Sequence, residues 1–129
     1  MILYEPIARL RLAGVIDLCK AEGWASYTED VETTWKALVA PGVITIVAVE
    51  GEDVLGVAQM LTDGHIQAHL SLILVGPAHR RKGIAKRLVE EAFARSGAKR
   101  LDLVTDSADE FYRSFKHHEW SGYRIYPGQ

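Results

Sequence analysis

Cysteine is almost absent from this sequence: Cys19 is the only one among 129 residues. A single cysteine excludes an intrachain disulfide and a cysteine-rich zinc site, and it fits a reducing compartment. No apolar run reaches membrane-spanning length. The first six residues, which end at Pro6, lack the basic start of a signal peptide. We therefore expect a cytoplasmic globular protein with no membrane partner.

An excess of positive charge is also missing. The 15 Lys and Arg residues are outnumbered by 17 Asp and Glu residues, which gives a net charge of -2. Because nucleic-acid-binding domains are usually strongly basic, this balance argues against nucleic acid as a partner. Hydrophobic residues make up 48% of the chain, which is enough for one compact domain with a real core over residues 1–129.

The spacing of apolar and turn-forming residues predicts an α/β fold. The first predicted elements are an edge strand around Tyr4, a helix from Leu12 to Gly23, a helix behind a capping box at Ser26–Glu29, and an antiparallel meander of strands over 43–49, 54–62 and 66–75. After these come a helix over 84–96, a short strand over 101–104 parallel to the strand before that helix, a helix through Phe115 capped by Asp106 or Ser107, and a last strand over 120–126. We therefore predict one mixed, mostly antiparallel sheet of about six to seven strands flanked by about four helices.

Alternation in the strand over 66–75 predicts which of its side chains share a face. One face is expected to carry Ile66, Ala68, Leu70, Leu72 and Leu74, and the other to carry Gln67, His69 and Ser71.

A basic turn lies between the end of this strand and the start of the next helix. It runs over 79–88 and contains Arg80, Arg81, Lys82 and Gly83. A helix start presents unpaired N–H groups and a positive dipole end, and both attract phosphate. Gly83 lets a ligand approach the backbone closely. The turn is therefore predicted to bind a pyrophosphate, although a solvated basic helix start is the plainer interpretation of such a cluster.

The order of a strand, Val75-Gly76-Pro77, the segment Arg80–Ala85, a helix, a short strand and Phe111-Tyr112 resembles the GNAT superfamily of acyl-CoA-dependent N-acetyltransferases. The family's signature turn, a Gln or Arg, two residues, Gly, one residue, then Gly or Ala, matches residues 80–85. The sequence departs from the family pattern over 105–107, where many members carry an Asn. It departs again at Lys116-His117, where many carry Gly-Phe.

The resemblance implies a GNAT-like fold and direct transfer of acetyl from acetyl-CoA to a primary amine in a ternary complex, without a metal. The strand backbone of Ile73, Leu74 and Val75 would contact pantetheine, and one of its N–H groups would polarise the thioester carbonyl. The turn would hold the CoA pyrophosphate through its backbone and basic side chains, which belong to Arg80, Arg81, Lys82, Gly83, Ile84, Ala85 and Lys86.

Two side chains are the main candidates for proton transfer. Tyr112 matches the family's tyrosine, which often protonates the departing thiolate; otherwise it is an aromatic core residue packed with Phe111 and Phe115. His69 stands where many members carry a Glu base, and imidazole suits proton removal at neutral pH. His117 and His118 are further candidates for the base.

The loop between the first two helices commonly walls the acceptor site in the family. Trp24, Tyr27 and Asp30 are therefore candidates for acceptor binding, together with His117, which is expected near the active-site end. The acceptor would be a small-molecule or peptide amine, and the resemblance also allows a homodimer through the last strand or an early helix. An alternative from another class is a CoA-binding sensor that has kept the turn and lost transfer.

Overall fold

The computed structural model describes residues 1–105 and 107–129; Asp106, one of the two predicted helix caps, lies outside the described residues. The strands are β1 (Leu3–Pro6), β2 (Val43–Glu50), β3 (Asp53–Thr62), β4 (Gln67–Val75) and β5 (Arg100–Asp102). The α-helices are α1 (Leu12–Glu22), α2 (Val31–Leu38), α3 (Ile84–Ser96) and α4 (Asp109–Arg113), and short 3-10 turns span Arg9–Arg11, Ala25–Tyr27 and Pro77–His79. The strands form one sheet in the order β1-β2-β3-β4-β5.

Helices cover both faces of the sheet. On one face α3 packs with Ile84, Leu88 and Ala92, and the partly buried Phe111, Tyr112 and Phe115 join the same cluster. On the other face α1 and α2 bury a second cluster that includes Leu12, Val15, Ile16, Cys19 and Leu38. The predicted meander is confirmed, since β2, β3 and β4 pair antiparallel. The predicted parallel crossover is also confirmed, because β5 pairs parallel with β4 after α3.

The predicted faces of β4 are wrong beyond Leu70. The register passes from Met60 opposite Leu70 to Gln59 opposite Leu72, so that Ser71 is an extra residue in a β-bulge. Ala68 and Leu70 therefore pack on the α3 side of the sheet, whereas Leu72 and Leu74 pack on the α1 side. The apolar pattern did not reveal this shift, because both faces of β4 are covered by helices past the bulge.

Among the described residues the sheet has five strands, so the predicted count of six to seven is wrong. The missing element is the predicted strand over 120–126, where the described residues form no strand. Trp120, Tyr123, Ile125 and Tyr126 are all exposed there, by 60–84%. Apolar and aromatic residues suit a strand only when a neighbouring strand and a core are present to take them.

Asp30 begins α2, and the predicted capping box at Ser26–Glu29 is wrong. The Asp30 carboxylate accepts hydrogen bonds from the backbone N–H groups of Glu32 and Thr33, at 3.0 and 3.2 Å. Residues 25–27 form a 3-10 turn instead. The end of α1 is as predicted, because Gly23 caps it in the left-handed conformation.

The final helix is shorter than predicted, since α4 ends at Arg113 rather than at Phe115. Ala108 precedes its first turn and makes no side-chain capping bond. The Thr105 hydroxyl instead accepts from the N–H groups of Ser107 and Ala108, so Thr105 orders the entry to α4. None of the helices in the described part of the chain has both the length and the apolar character needed to cross a bilayer.

Candidate active site

The pairing between strands β4 and β5 ends near the middle of β4. Their ladder contains three pairs, and the last one joins His69 to Asp102. From Leu70 to Val75, β4 pairs only with β3 among the described residues. The sheet therefore opens into a gap beside the second half of β4, bounded by the turn that leads into α3.

The backbone of β4 points alternately into this gap and toward β3. The N–H of Gly76 donates to the carbonyl of Leu55 at 2.8 Å, which makes these two residues a hydrogen-bonded pair of the antiparallel ladder. Because such pairs alternate with non-bonded ones, Leu74 bonds to β3 while Ile73 and Val75 direct their N–H and C=O groups into the gap. Of the three predicted pantetheine contacts, Ile73 and Val75 thus present polar backbone to the gap.

The turn before α3 has the backbone geometry of an anion site. Arg81 and Gly83 are both left-handed, with φ of 63° and 79°, and left-handed backbone at a non-glycine costs about 1 kcal/mol or more. Gly83 caps α3 without a side-chain bond, so the N–H groups of Ile84, Ala85 and Lys86 are not capped. Open space surrounds Gly83 where a Cβ would stand. The turn can therefore receive an anion directly at the helix start.

The basic side chains of the turn differ in their contacts. Arg80 is exposed but fixed to the protein, because its Nε donates to the carbonyl of Val75 at 3.0 Å and its guanidinium pairs with Glu22 on α1. Within the described part of the chain, Arg81 and Lys82 form no ion pair, and both are exposed. Lys86 places its Nζ 5.4 Å from the centre of the Phe115 ring. Arg80 thus anchors the turn, whereas Arg81 and Lys82 are available to a ligand.

Tyr112 lies on α4, half-buried against the α3 side of the core. Its ring meets Phe111 edge-on, with centroids 4.9 Å apart. Burial raises the pKa of the Tyr112 phenol above its usual value of 10.0, so the phenol keeps its proton at neutral pH. The aromatic packing and the proton-donor role that the sequence suggested are therefore compatible in this position.

His69 is exposed at the point where β4 and β5 separate. In the sheet, His69 pairs with Leu61 of β3 and with Asp102 of β5. Sequence reasoning predicted that β5 runs parallel to β4 but did not identify Asp102, since only the register places this carboxylate beside His69.

The loop between α1 and α2 lies on the opposite side of the sheet from α3. The Tyr27 hydroxyl donates to Gln59 Oε1 at 3.1 Å, and Gln59 Nε2 donates to the carbonyl of Ala37 at 3.2 Å. Gln59 is only 4% exposed, so it fixes the loop to the middle of β3. Burial, with a smaller contribution from Cys19, raises the pKa of Tyr27. Sequence reasoning missed Gln59, although a polar residue inside an apolar strand was a signal for it.

The other three predicted acceptor residues each contact a different part of the protein. Trp24 is half-buried against the second core cluster. Asp30 caps α2, as described above. His117 is exposed behind α4, where its Nδ1 lies 2.7 Å from the carbonyl of Phe115 and its Nε2 lies 3.6 Å from Glu119. Their roles in acceptor binding stay predictions.

Two open surface hollows lie away from the gap. One, of about 340 Å³, is lined by residues of α1 and by Arg9 and Val31, and the other, of about 380 Å³, lies along the start of β2. Neither is lined by a residue of β4 or of the turn before α3. Over residues 1–105 and 107–129, His, Cys, Asp and Glu side chains form no group of three that could hold a metal ion.

Comparison with solved structures identifies the same architecture in other proteins. A transcriptional regulator from Bacillus halodurans C-125 shares 18% identity, with a TM-score of 0.80 and coverage of 98% of this chain and 99% of its own. AAC(6')-Iy, in complex with the bisubstrate analogue CoA-S-monomethyl-acetylneamine, shares 16% identity, with a TM-score of 0.79 and coverage of 100% and 99%. An aminoglycoside acetyltransferase from an uncultured soil metagenomic sample, in complex with sisomicin, shares 19% identity, with a TM-score of 0.78 and coverage of 99% and 97%.

No curated protein matches the sequence at a significant level. The model of the Acetyltransferase (GNAT) family, in contrast, matches residues 10–116. That span runs from the start of α1 to just beyond α4, and it includes the parted strands, the turn and Tyr112. The chain belongs to the GNAT acetyltransferase family.

Proposed function

We propose that this chain transfers an acetyl group from acetyl-CoA to the primary amine of a small molecule or peptide, by direct transfer in a ternary complex. The observation that supports this most strongly is the gap beside β4. There, among the described residues, the N–H and C=O of Ile73 and the N–H of Val75 have no strand partner, while the Val75 C=O accepts from Arg80 Nε; this edge leads to the uncapped start of α3. A pantetheine arm carries amide groups that can pair with such a strand edge, and the pyrophosphate that follows it suits the turn.

The residues of the turn fit the charged part of acetyl-CoA. The N–H groups of Ile84, Ala85 and Lys86 would donate to the pyrophosphate oxygens, and Arg81 and Lys82 would add charge-assisted contacts. Arg80 would act indirectly, because its bonds to Val75 and Glu22 hold the turn against β4 and α1. The open space around Gly83 leaves room for the ligand at the backbone.

Acetyl-CoA supplies the acetyl group as a thioester, which an amine attacks at the carbonyl carbon. The Ile73 N–H would donate to the carbonyl oxygen as negative charge develops on it, an effect of about 3 kcal/mol for one donor. His69 would remove one proton from the incoming ammonium, directly or through water, and the second proton, which the nitrogen loses after the attack, would pass to solvent. The Tyr112 phenol would donate its proton to the sulfur as the carbon–sulfur bond breaks, and solvent would then restore that proton.

Aminoglycosides are one acceptor class to test, because sisomicin and an acetylneamine derivative are bound by two of the structural neighbours. Those two neighbours share 16% and 19% identity with this chain, so they guide the choice of the panel and assign no substrate. The panel should also contain polyamines, free amino acids and peptides with lysine side chains or free N-termini.

Two measurements test the proposal. Acetyl-CoA and desulfo-CoA should each raise the Tm by several degrees at a hundredfold excess over Kd, where binding stabilises by about 2.7 kcal/mol. The absence of stabilisation at millimolar ligand would contradict the whole proposal. Release of free CoA should also depend on at least one amine of the panel. Binding without turnover of any amine would leave the chain an acyl-CoA-binding module.

Tyr112→Phe separates chemistry from binding. We expect kcat to fall roughly tenfold to a hundredfold, with little change in KM for acetyl-CoA. Tyr123→Phe is the matched control, because Tyr123 is 84% exposed in the C-terminal segment. A rise in KM without a fall in kcat would make Tyr112 a binding residue.

A further inference from the structure

We propose that Asp102 is a positioning residue that orients His69 as the base. This inference rests on the proposed acetyl transfer. The two residues are partners in the last pair of the parallel ladder between β4 and β5. They stand where the strands separate, so the pair borders the gap in which the thioester carbonyl would lie.

The side chains of His69 and Asp102 share one face of the sheet. Their neighbours Ala68 and Leu101 point to the α3 side, where Ala68 is 3% exposed and Leu101 packs against the core. Because successive side chains of a strand alternate, His69 and Asp102 both point to the opposite face. Adjacent strands lie about 4.8 Å apart, so a carboxylate on one reaches an imidazole on the next by a rotamer change.

Among the described residues the Asp102 carboxylate forms no hydrogen bond or ion pair, so it is available to His69. Arg100, two residues earlier on the same face, donates from Nη2 to Gln67 Oε1 at 3.3 Å. Across β3 the partner of His69 is the apolar Leu61. The carboxylate of Asp63, at the β3–β4 turn, accepts hydrogen bonds from the N–H groups of residues 65–67, and these bonds lower its pKa. His65 and Lys99 lie beyond this ladder, at the end where the strands stay paired.

A carboxylate beside an imidazole does two things for a base. It accepts the N–H of one ring nitrogen, which leaves the other nitrogen unprotonated and directed away from the carboxylate. It also stabilises the imidazolium that forms when the base takes the proton of the ammonium. Asp102 itself gains no proton in this step: the proton moves from the amine nitrogen to His69, which later releases it to solvent.

Asp102→Asn tests the pair in the full chain. We expect kcat to fall about tenfold, with KM for acetyl-CoA unchanged. Asp102→Glu should restore much of kcat. The control is Asp17→Asn, which removes an exposed aspartate from α1 and should leave kcat unchanged.

A double variant and a spectroscopic readout complete the test. In a His69→Gln background, Asp102→Asn should cause no further loss, because residues that act through one another are not additive. An equal loss in both backgrounds would overturn the proposal. Ring ¹⁵N spectra should show one dominant His69 tautomer in the wild type and a mixture in Asp102→Asn. Identical spectra would overturn the pairing even if no amine were turned over, whereas failure of acetyl transfer alone would refute the proposed function.

Discussion

The two sides of the gap are built in different ways. On the proposed cofactor side, a continuous segment from β4 through the turn into α3 supplies the candidate residues, and Arg80 ties that segment to α1 through Glu22. On the proposed acceptor side, the candidate residues come from distant segments: the α1–α2 loop, Gln59 of β3, the β4–β5 junction and α4. A continuous segment can be recognised from the sequence, and one change in its backbone can abolish its binding. A surface formed by distant segments depends on long-range contacts, which the sequence does not show locally.

Gly83→Val, on the cofactor side, should have the largest effect, which is a loss of affinity for acetyl-CoA. A β-branched residue at φ 79° is strained, and relief of the strain would turn the N–H groups of the helix start away from the ligand. We expect Kd for acetyl-CoA to rise about a hundredfold, which corresponds to about 2.7 kcal/mol, as measured by calorimetric titration.

Gly51→Val is the matched control for Gly83→Val. Gly51 has φ 60° and equally open surroundings, but it lies in the β2–β3 turn. Both variants should lose a similar amount of stability, and only Gly83→Val should lose affinity. An equal loss of affinity in both variants would show that general destabilisation, and not the turn, controls binding.

Gln59→Leu should affect the acceptor side next most strongly. The substitution leaves the Tyr27 hydroxyl and the Ala37 carbonyl without their partner, at a cost of about 2 kcal/mol of unfolding free energy. The displaced α1–α2 loop should raise KM for the amine more than Kd for acetyl-CoA.

Tyr27→Phe provides the smaller step for this prediction. It removes one of the two hydrogen bonds of Gln59, so roughly half the loss of stability is expected. A change in acetyl-CoA affinity that equals the change in amine KM would contradict the separation of the two sides.

Raising the pH should weaken the core beneath the same loop. Burial raises the pKa of the Cys19 thiol from 9.0 to about 11. The folded state therefore holds this proton more tightly than the unfolded state, and stability falls as the pH rises from 9 toward 11, by at most about 1.4 kcal/mol per pH unit. Chemical denaturation at pH 8.5 and 10 would measure this slope. The slope should be flatter in Cys19→Ala, and an unchanged slope would assign it to other groups.

Truncation after Glu119 should have the smallest effect. The removed residues 120–129 include Trp120, which is 80% exposed, and the truncation preserves the exposed ion pair of Arg113 with Glu119. We expect Tm and the Kd for acetyl-CoA to change within experimental error. A loss of several degrees would show that this segment covers apolar surface in solution.

Local signals predicted much of the cofactor side. The helical spacing of α1 and α3, the antiparallel meander and the crossover to β5 are consequences of neighbouring residues, and the structure confirms them. The turn was recognisable because Gly83 and the basic residues stand together in the sequence. Arg80 was expected to face the ligand, but its contact with Glu22 links residues 58 positions apart and has no local signature.

The acceptor side was less predictable for the same reason. Ser71 shifts the faces of β4 by one residue, and a run of apolar residues on both sides conceals such a shift. The N-cap of α2 is Asp30 and not the predicted Ser26, although both residue types favour that position. The aromatic segment after residue 119 has strand-like composition, but no strand forms there in the described chain. The pair of His69 with Asp102 depends on register, which the sequence does not encode locally.

Amide hydrogen exchange with and without acetyl-CoA would show whether the ligand lies along the open edge of β4. We expect new protection at the N–H groups of Ile73, Val75 and Ala85. Leu74, whose N–H already bonds to β3, should show no change. Protection that appears elsewhere, with Ile73 and Val75 unaffected at saturating acetyl-CoA, would contradict the account.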